Sequence, residues 1–401
     1  MAVGWTLVAT GGALVLYTYL VYPLLVRALS RRSRGAVGDP EQWPSISITV
    51  PVYNEARQIR ETIESLLRID YPADRRQILF VSDASSDDTD DIIREYADRG
   101  VELLRMPQRG GKTAGENAAR THMTGEIVVN TDASIRIHPA AVKALVRQFA
   151  DPTVGVATGR DVSTGREAGD GNVGESGYVG YEMWVRDLET AAGGIVGASG
   201  SLYAIRRDLH QHVLPEGLSR DFASALVARE RGFRAVSVPE ATCIVPRTHS
   251  LRKEYRRKVR TMIRGIQTLY FKRHLLSPAR HGRFAWMLFS HKVCRWAVPW
   301  ALAWGGVGVA ILSAELAPAR LVLAAGLLVS LVGAFGWLWP DGRPMPRILA
   351  VPAFALGANL AAIVAVVRSL RGELNPIWEP TRRESERGGA ALEINSNRIY
   401  H

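Results

Sequence analysis

Three acidic residues stand where short apolar runs end: Glu55 after Ser45–Val52, Asp83 after Ile78–Val81 and Asp132 after Ile127–Val129. A carboxylate just past a buried strand lies where open α/β sheets take their ligands, outside the carboxyl ends of the strands. There it can hold a divalent cation against a phosphate. Each acid alone also suits an ordinary turn, but three of them, after the first, second and fourth runs, would converge on one edge of a sheet. A fourth acid, Asp221, has two readings, a cap for the helix that follows or a ligand. Arg109-Gly110-Gly111-Lys112-Thr113 lacks Walker A spacing. Lys112 at a helix start can still help bind phosphate, unless the stretch is a solvated turn. The glycine-rich Gly193–Gly200 precedes a strand, which argues against a dinucleotide fingerprint.

Elements that would carry these residues alternate along the chain. Strands are expected at Ser45–Val52, Ile78–Val81, Val101–Leu104 and Ile127–Val129. Helices are expected at Glu55–Leu67, Asp87–Ala97, Lys112–Met123 and Pro139–Phe149. This βαβαβαβ order predicts an α/β fold, a doubly wound parallel sheet covered by helices. Further on, strands are expected at Val154–Thr158, Ser201–Ile205 and Ala235–Val238, with helices at Val173–Thr190 and Asp221–Arg231.

The 401 residues carry a net charge of +11, and much of the positive charge is local. From Arg247 to Arg283 there are twelve Arg or Lys and a single acid, Glu254. With no zinc-finger spacing and no RNA-binding signature, and with apolar spans on both sides, this segment fits an anionic lipid surface and not nucleic acid. Residues 3–26 are uncharged and long enough to cross a bilayer. Arg27, Arg31, Arg32 and Arg34 follow, opposite to the charge order of a signal peptide, and place the chain beyond Arg27 in the cytoplasm. Further spans are expected at Trp296–Leu312, Leu321–Trp339 and Ile348–Val367, while Phe284–Cys294, with His291 and Lys292 inside it, reads as an interfacial helix. The organisation is therefore a membrane helix (1–27), a linker (28–44), a catalytic domain (45–247), basic interfacial helices (248–295), a membrane region (296–370) and a polar tail (371–401). Cys243 and Cys294 suggest neither a disulfide framework nor a metal site.

Taken in order, Pro-Val-Tyr-Asn-Glu at 51–55, Ser-Asp-Ala-Ser-Ser-Asp-Asp-Thr at 82–89, Gly-Gly-Lys with Asn117 following, Thr-Asp-Ala-Ser at 131–134, Gly-Ala-Ser-Gly-Ser-Leu-Tyr-Ala-Ile-Arg-Arg at 197–207 and Arg-Asp-Phe at 220–222 resemble the motifs of family 2 glycosyltransferases. The likeness is to the membrane-embedded branch with hyaluronan, chitin, cellulose and poly-N-acetylglucosamine synthases. It implies a GT-A catalytic domain that binds a UDP-sugar. It further implies that Pro51, Tyr53, Glu55 and Asp83 line the nucleoside, that Lys112 and Asn117 sit near it or the diphosphate, and that Asp132 ligates Mg2+ or Mn2+. Relatives commonly have Asp-x-Asp here; this chain has Asp132-Ala133-Ser134, so Ser134 or a water completes the shell. Asp221 takes the place of the catalytic base, and Gly197, Ser199, Gly200 and Ser201 line the acceptor. Laying Arg260 on the arginine of the Gln-x-x-Arg-Trp motif of processive relatives makes it a diphosphate contact. Arg257 then falls on the glutamine and Thr261 on the tryptophan.

Trp378, Thr381 and Arg382 resemble a gating segment that closes over the nucleotide in some relatives. That segment would be cytoplasmic, whereas three full spans after the catalytic domain would put the tail outside, so either one apolar stretch is re-entrant or Phe284–Leu312 counts differently. The reading is of a multi-pass protein of the cell (inner) membrane with a cytoplasmic active site. It would move a sugar to a carbohydrate or lipid-linked acceptor, alongside other polysaccharide-export subunits. Two alternatives stay open: a single-sugar transferase onto polyprenyl phosphate, and an inactive, nucleotide-sensing membrane subunit.

Overall fold

The computed structural model describes residues 1–30, 38–163, 173–246, 250–340 and 343–373. Among the described residues eight strands form a single sheet: β1 (Ile46–Val52), β2 (Arg76–Ser82), β3 (Val101–Arg105), β4 (Ile127–Thr131), β5 (Arg136–Ile137), β6 (Val154–Ser163), β7 (Leu202–Arg206) and β8 (Arg234–Val245). Their order is β3-β2-β1-β4-β7-β6-β8-β5. The first four strands are parallel, as their apolar runs predict. Every residue of β1 is buried, which suits a central strand covered on both faces.

The second half departs from the parallel expectation. β7 runs antiparallel to both β4 and β6, so the sheet is mixed there. β6 and β8 are longer than their apolar runs and pair in parallel through two irregularities in register. The two-residue β5 closes the edge against β8 and is too short to show any periodicity. Pro51 lies near the end of β1, beyond Thr49, where the pairing with β4 stops. Its missing N–H therefore removes no bond on that side. Gly125 is required by close approach: a Cβ there would come within 2.3 Å of the Ile46 carbonyl carbon.

Among the described residues, four helices are long and apolar enough to cross a bilayer: Ala2–Leu29, Arg283–Ser313, Ala317–Trp337 and Arg347–Leu370. The first two pack through small residues. A Cβ on Gly11 would meet the Ala301 carbonyl at 2.6 Å, and one on Gly308 the Gly4 carbonyl at 2.8 Å. Both helices contain a wider π-type turn, at Tyr17–Val21 and Phe289–Cys294, and there Tyr17 Oη and Ser290 Oγ are 2.6 Å apart.

This corrects the reading of Phe284–Cys294 as a separate interfacial helix, because it continues into the span that follows. Its charges looked incompatible with burial. They are compensated from the helix Val173–Ala192, whose Glu189 and Glu182 lie 2.5 and 3.0 Å from the two ring nitrogens of His291, and Glu182 also pairs with Arg295.

The basic segment forms the helix Leu251–Phe271. Its apolar face packs on the last apolar helix, with Val259 and Ile263 against Ala361 and Ala365. Tyr255 stacks edge-on to Trp337 at 5.2 Å, Lys258 sits 4.8 Å from the Phe354 ring, and Gln267 donates to the Glu373 carbonyl at 3.0 Å. The last apolar helix therefore runs alongside the basic one, in the same direction.

Candidate active site

The ends of β1 and β2 are laced together. Asn54 and Ala84, the residues just past these ends, both have φ near +55°, at 53° and 56°, a conformation that non-glycine residues adopt at a cost and that gathers at functional sites. The Ser86 N–H donates to Asn54 Oδ1 at 2.8 Å, and the Glu55 N–H donates to Thr89 Oγ1 at 2.8 Å. Glu55 is thereby buried beside the second strand end, and its carboxylate accepts from Gln58.

Asp83 organises the next loop. Its two carboxylate oxygens accept the Gly110 and Gly111 N–H groups at 2.7 and 2.9 Å. Gly111 needs the left-handed φ of 86° that glycine tolerates, and the helix Lys112–Ala119 starts directly after it. The same loop lays the Arg109 guanidinium 3.8 Å from the centre of the Tyr53 ring. Asp83 thus shapes the wall of the cleft through the 109–111 backbone.

Lys112 reaches across to the end of β4. Its Nζ lies 2.5 Å from Asp132 Oδ1 and 3.4 Å from the Gly200 carbonyl. Burial would lower the ammonium pKa, but Asp132, Glu116 and Asp221 outweigh it and hold the proton on, above the usual lysine range. Behind Lys112, Glu116 is 1% exposed, and burial pushes its carboxyl up against the opposing pull of Lys112 and Arg220.

Gly200 joins this pair to Asp221. A Cβ on Gly200 would lie 2.7 Å from Asp221 Oδ2, while Ser219 Oγ donates to Asp221 Oδ1. Asp221 sits in the first turn of the helix Arg220–Glu230, so its role in the helix and its place in the cleft coexist. The loop from Gly197 to Ser201 is held from behind: the Ser199 N–H donates to Thr158 Oγ1 at 2.9 Å, Ser199 Oγ lies 2.9 and 3.0 Å from the Asp161 oxygens, and Thr131 Oγ1 donates to the Ser201 carbonyl at 2.8 Å. Gly197 opens the loop against Phe222.

Lys112, Asp132, Gly200 and Asp221 therefore meet, with Tyr53 and Asp83 on the adjoining wall. Asn117 lies one helix face away. Its amide is engaged by the Leu214 backbone at 2.8 and 3.2 Å and by Arg220. Arg257 forms a two-pronged ion pair with Glu254 on its own helix, at 2.7 and 2.9 Å. Arg260 is half-buried on that helix. Trp378, Thr381 and Arg382 lie outside the described residues.

Arg264, one turn beyond Arg260, was not singled out in the sequence. Its Nη2 donates to Thr113 Oγ1 at 2.7 Å and to the Leu218 carbonyl at 2.5 Å, and Asp221 and Glu116 act on its charge. The only sequence signal for it was the four-residue spacing from Arg260. Glu116 and Arg220, whose Nε lies 3.5 Å from a Glu116 oxygen, were also missed.

Among the described residues no three His, Cys, Asp or Glu cluster as a metal cage. The donors present are the Asp132 carboxylate and the Ser134 hydroxyl, kept close by a turn in which Ile135 N donates to the Asp132 carbonyl at 3.0 Å. This all-oxygen set fits a cation such as Mg2+ that takes one or two carboxylates and completes its shell with substrate phosphates and water.

Comparison with known proteins bears on the fold and the family. The chain is 25% identical to a mannosyltransferase from Pyrobaculum calidifontis solved with GDP-Man and Mn2+, with a TM-score of 0.71 over 92% of this chain and 99% of that one. The fold is GT-A-like, flanked by long apolar helices. An N-acetylglucosaminyltransferase of Mesorhizobium japonicum is 26% identical over 56% of this chain and 57% of its own length. A hyaluronan synthase of Streptococcus pyogenes is 32% identical over 36% of this chain and 35% of its own. The matches thus span about half the length of these curated relatives or less, and they carry different names. Residues 47–214 match the family model "Glycosyl transferase family 2", so this stretch of the chain is a family 2 glycosyltransferase catalytic domain.

Proposed function

We propose that this chain moves a sugar, with inversion, from a UDP-sugar to a hydroxyl of a carbohydrate or lipid-linked acceptor in the making of a surface or exported polysaccharide. The observation that carries the reading is Gly200, whose carbonyl faces Lys112 while its Cα packs on the Asp221 carboxylate. A donor diphosphate held at Lys112 and an acceptor hydroxyl held at Asp221 then meet across one residue. Asp221 takes the hydroxyl proton as the acceptor oxygen bonds to the sugar C1, and the nucleoside diphosphate leaves with the electron pair on the opposite face. General base catalysis of this kind contributes about 10²–10⁴-fold.

Lys112 exchanges its pairing with Asp132 for the diphosphate, and Arg264 stands behind it as a further positive charge. The nucleoside lies against Tyr53 and Arg109, beside Pro51 and Glu55. A bound Mg2+ or Mn2+, held by Asp132 with Ser134, would offset charge on the departing diphosphate.

The long apolar helices support a multi-pass membrane protein, with the catalytic domain in the cytoplasm and any export subunits beyond it. The last apolar helix runs along the basic helix from Lys258 to Gln267. Just past its end, Glu373 lies beside the basic helix, which supports a tail on the active-site side. Cysteine labelling of the tail from outside intact cells tests this, and labelling would overturn it.

A second reading of the donor is favoured by one observation: the mannosyltransferase matched over nearly the whole chain was solved with GDP-Man. Nucleotide release from a panel of UDP- and GDP-sugars, with and without chelator, decides between the two. Purified Asp221→Asn is expected to bind the donor nucleotide and release no product. Normal turnover in that variant removes Asp221 from the mechanism. Full activity in chelator removes Asp132 as a metal ligand, and no release from any donor by the unaltered protein makes it an inactive, nucleotide-sensing subunit.

A further inference from the structure

Behind the cleft lies a buried ion pair that the proposed reaction leaves unused. The side chains of Glu116 and Arg220 are 1% and 3% exposed, and Arg220 Nε stands 3.5 Å from Glu116 Oε2. That is ion-pair reach, but beyond a hydrogen bond. Among the described residues neither Glu116 oxygen has a hydrogen-bond partner. Burying a carboxylate in this way is costly. Two apolar side chains of similar volume would fill the same space about as stably. Stability therefore does not account for the charges.

Their place in the chain points elsewhere. Glu116 stands one helical turn after Lys112, and Arg220 directly precedes Asp221. Thr113, Glu116 and Asn117 share the helix face that carries the segment from Leu214 to Arg220. Thr113 Oγ1 donates to the Leu218 carbonyl at 2.9 Å, and Asn117 Nδ2 donates to the Leu214 carbonyl at 2.8 Å. Arg220 spreads its guanidinium over three acceptors. Its Nη1 donates to the His210 carbonyl at 3.2 Å, its Nη2 donates to Asn117 Oδ1, and its Nε faces Glu116. The first turn of the Asp221 helix is thereby fastened to the Lys112 helix.

These contacts close into a ring. Lys112 Nζ lies 3.4 Å from the Gly200 carbonyl, and a Cβ on Gly200 would lie 2.7 Å from Asp221 Oδ2. Asp221 adjoins Arg220, Arg220 faces Glu116, and Glu116 returns to Lys112 along one turn of helix. Gly200 joins the two sides in front, and the ion pair joins them behind. The charge of Glu116 is also felt at Lys112 and at Arg264, where it acts together with Asp221.

We propose that Glu116 is a positioning residue, which through Arg220 fixes the first turn of the Asp221 helix against the Lys112 helix. The proton acceptor and the donor-binding lysine then keep their spacing across Gly200. This rests on the transferase reading above and adds to it the residue that sets where its base stands. Glu116 acts through Arg220 and takes no proton itself.

The test uses the full chain in nanodiscs. Steady-state nucleotide release is measured with the donor that the unaltered protein uses, beside calorimetric titration with UDP and GDP. Glu116→Gln keeps the shape of the side chain and removes its charge. It should lower kcat about tenfold or more, since displacing a reacting group by about 1 Å costs about 10²-fold, while nucleotide affinity changes less than about twofold. Arg220→Lys should fall as far, because one ammonium cannot face Glu116, Asn117 and the His210 carbonyl together. The double variant Glu116→Met/Arg220→Met replaces the pair by apolar volume. It should keep the wild-type melting temperature and nucleotide affinity without regaining kcat.

Wild-type kcat in Glu116→Gln overturns the proposal. So does full turnover in the double variant, which would show that packing alone places Asp221. Nucleotide affinity lost in step with turnover, in the double variant as in the single ones, makes the pair structural and overturns it as well. Absence of nucleotide release from the unaltered protein overturns the transferase reading and this one with it. Normal release from the unaltered protein and from all three variants overturns this one alone.

Discussion

Lys112 Nζ lies 2.5 Å from Asp132 Oδ1, joining the helix after the Gly110-Gly111 turn to the end of β4. The pair neutralises the strand-end carboxylate and places a cation where the proposed reaction would put the donor diphosphate. Lys112→Met should lower kcat/KM for the donor about 10- to 100-fold, the value of one hydrogen bond to a charged group. Steady-state nucleotide release measures it, and an unchanged KM with unchanged kcat would remove Lys112 from the donor site.

Gly200→Ala separates binding from chemistry. The new Cβ would lie 2.7 Å from Asp221 Oδ2, so the carboxylate must shift. Displacement of a reacting group by about 1 Å costs about 10²-fold. The expected result is a fall in kcat with nucleotide affinity retained, read by turnover beside titration calorimetry. A loss of nucleotide affinity equal to the loss of turnover would show a collapsed cleft instead.

Gly125→Ala should act on stability. Its Cβ would meet backbone atoms of Ile46 and Ser47 at 2.3–2.6 Å, and backbone cannot swing aside as a side chain does. The β1–β4 pairing must open, at a cost of about 3 kcal/mol. A lowered melting temperature in detergent reports it, and a wild-type value would mean that the strands can shift freely.

Acid should loosen the docking of the basic helix on the last apolar helix. Burial opposes ionisation of Glu254, but Arg257 and Lys258 prevail and hold its carboxyl at about 2. An unfolded glutamate titrates near ~4.3. The contribution of the ionised group is thus complete above that pH and fades as pH falls towards about 2. Melting temperature against pH should show Glu254→Gln below wild type at pH 7, with the two curves converging in acid. A constant gap would mean that packing, not charge, sets the difference.

Parts of the site were legible in the sequence because they follow from local pattern. An apolar run of strand length that ends in an acid puts the acid at the carboxyl edge, which placed Glu55, Asp83 and Asp132. Arg264 was missed because an arginine-rich helix offers many equivalent charges, and only packing against Thr113 and Leu218 selects one. Asn117 follows the Gly-Gly-Lys turn in sequence, but the helix turns its amide to Leu214 and Arg220.

Phe284–Cys294 failed as a separate element for a related reason. Its charged residues carry a cost in an apolar helix that hydropathy counts in full, while Glu182 and Glu189, 109 and 102 residues before His291, remove much of it.

By itself the sequence determined the parallel half of the sheet, the apolar helices and the acids at the strand ends, because periodicity and run length act through neighbouring backbone bonds. Only the tertiary structure decided that β7 runs antiparallel, that Lys112 pairs with Asp132 and that Gly200 sits against Asp221. Those outcomes depend on which distant segments meet, and side-chain charges in a sequence carry no record of their partners.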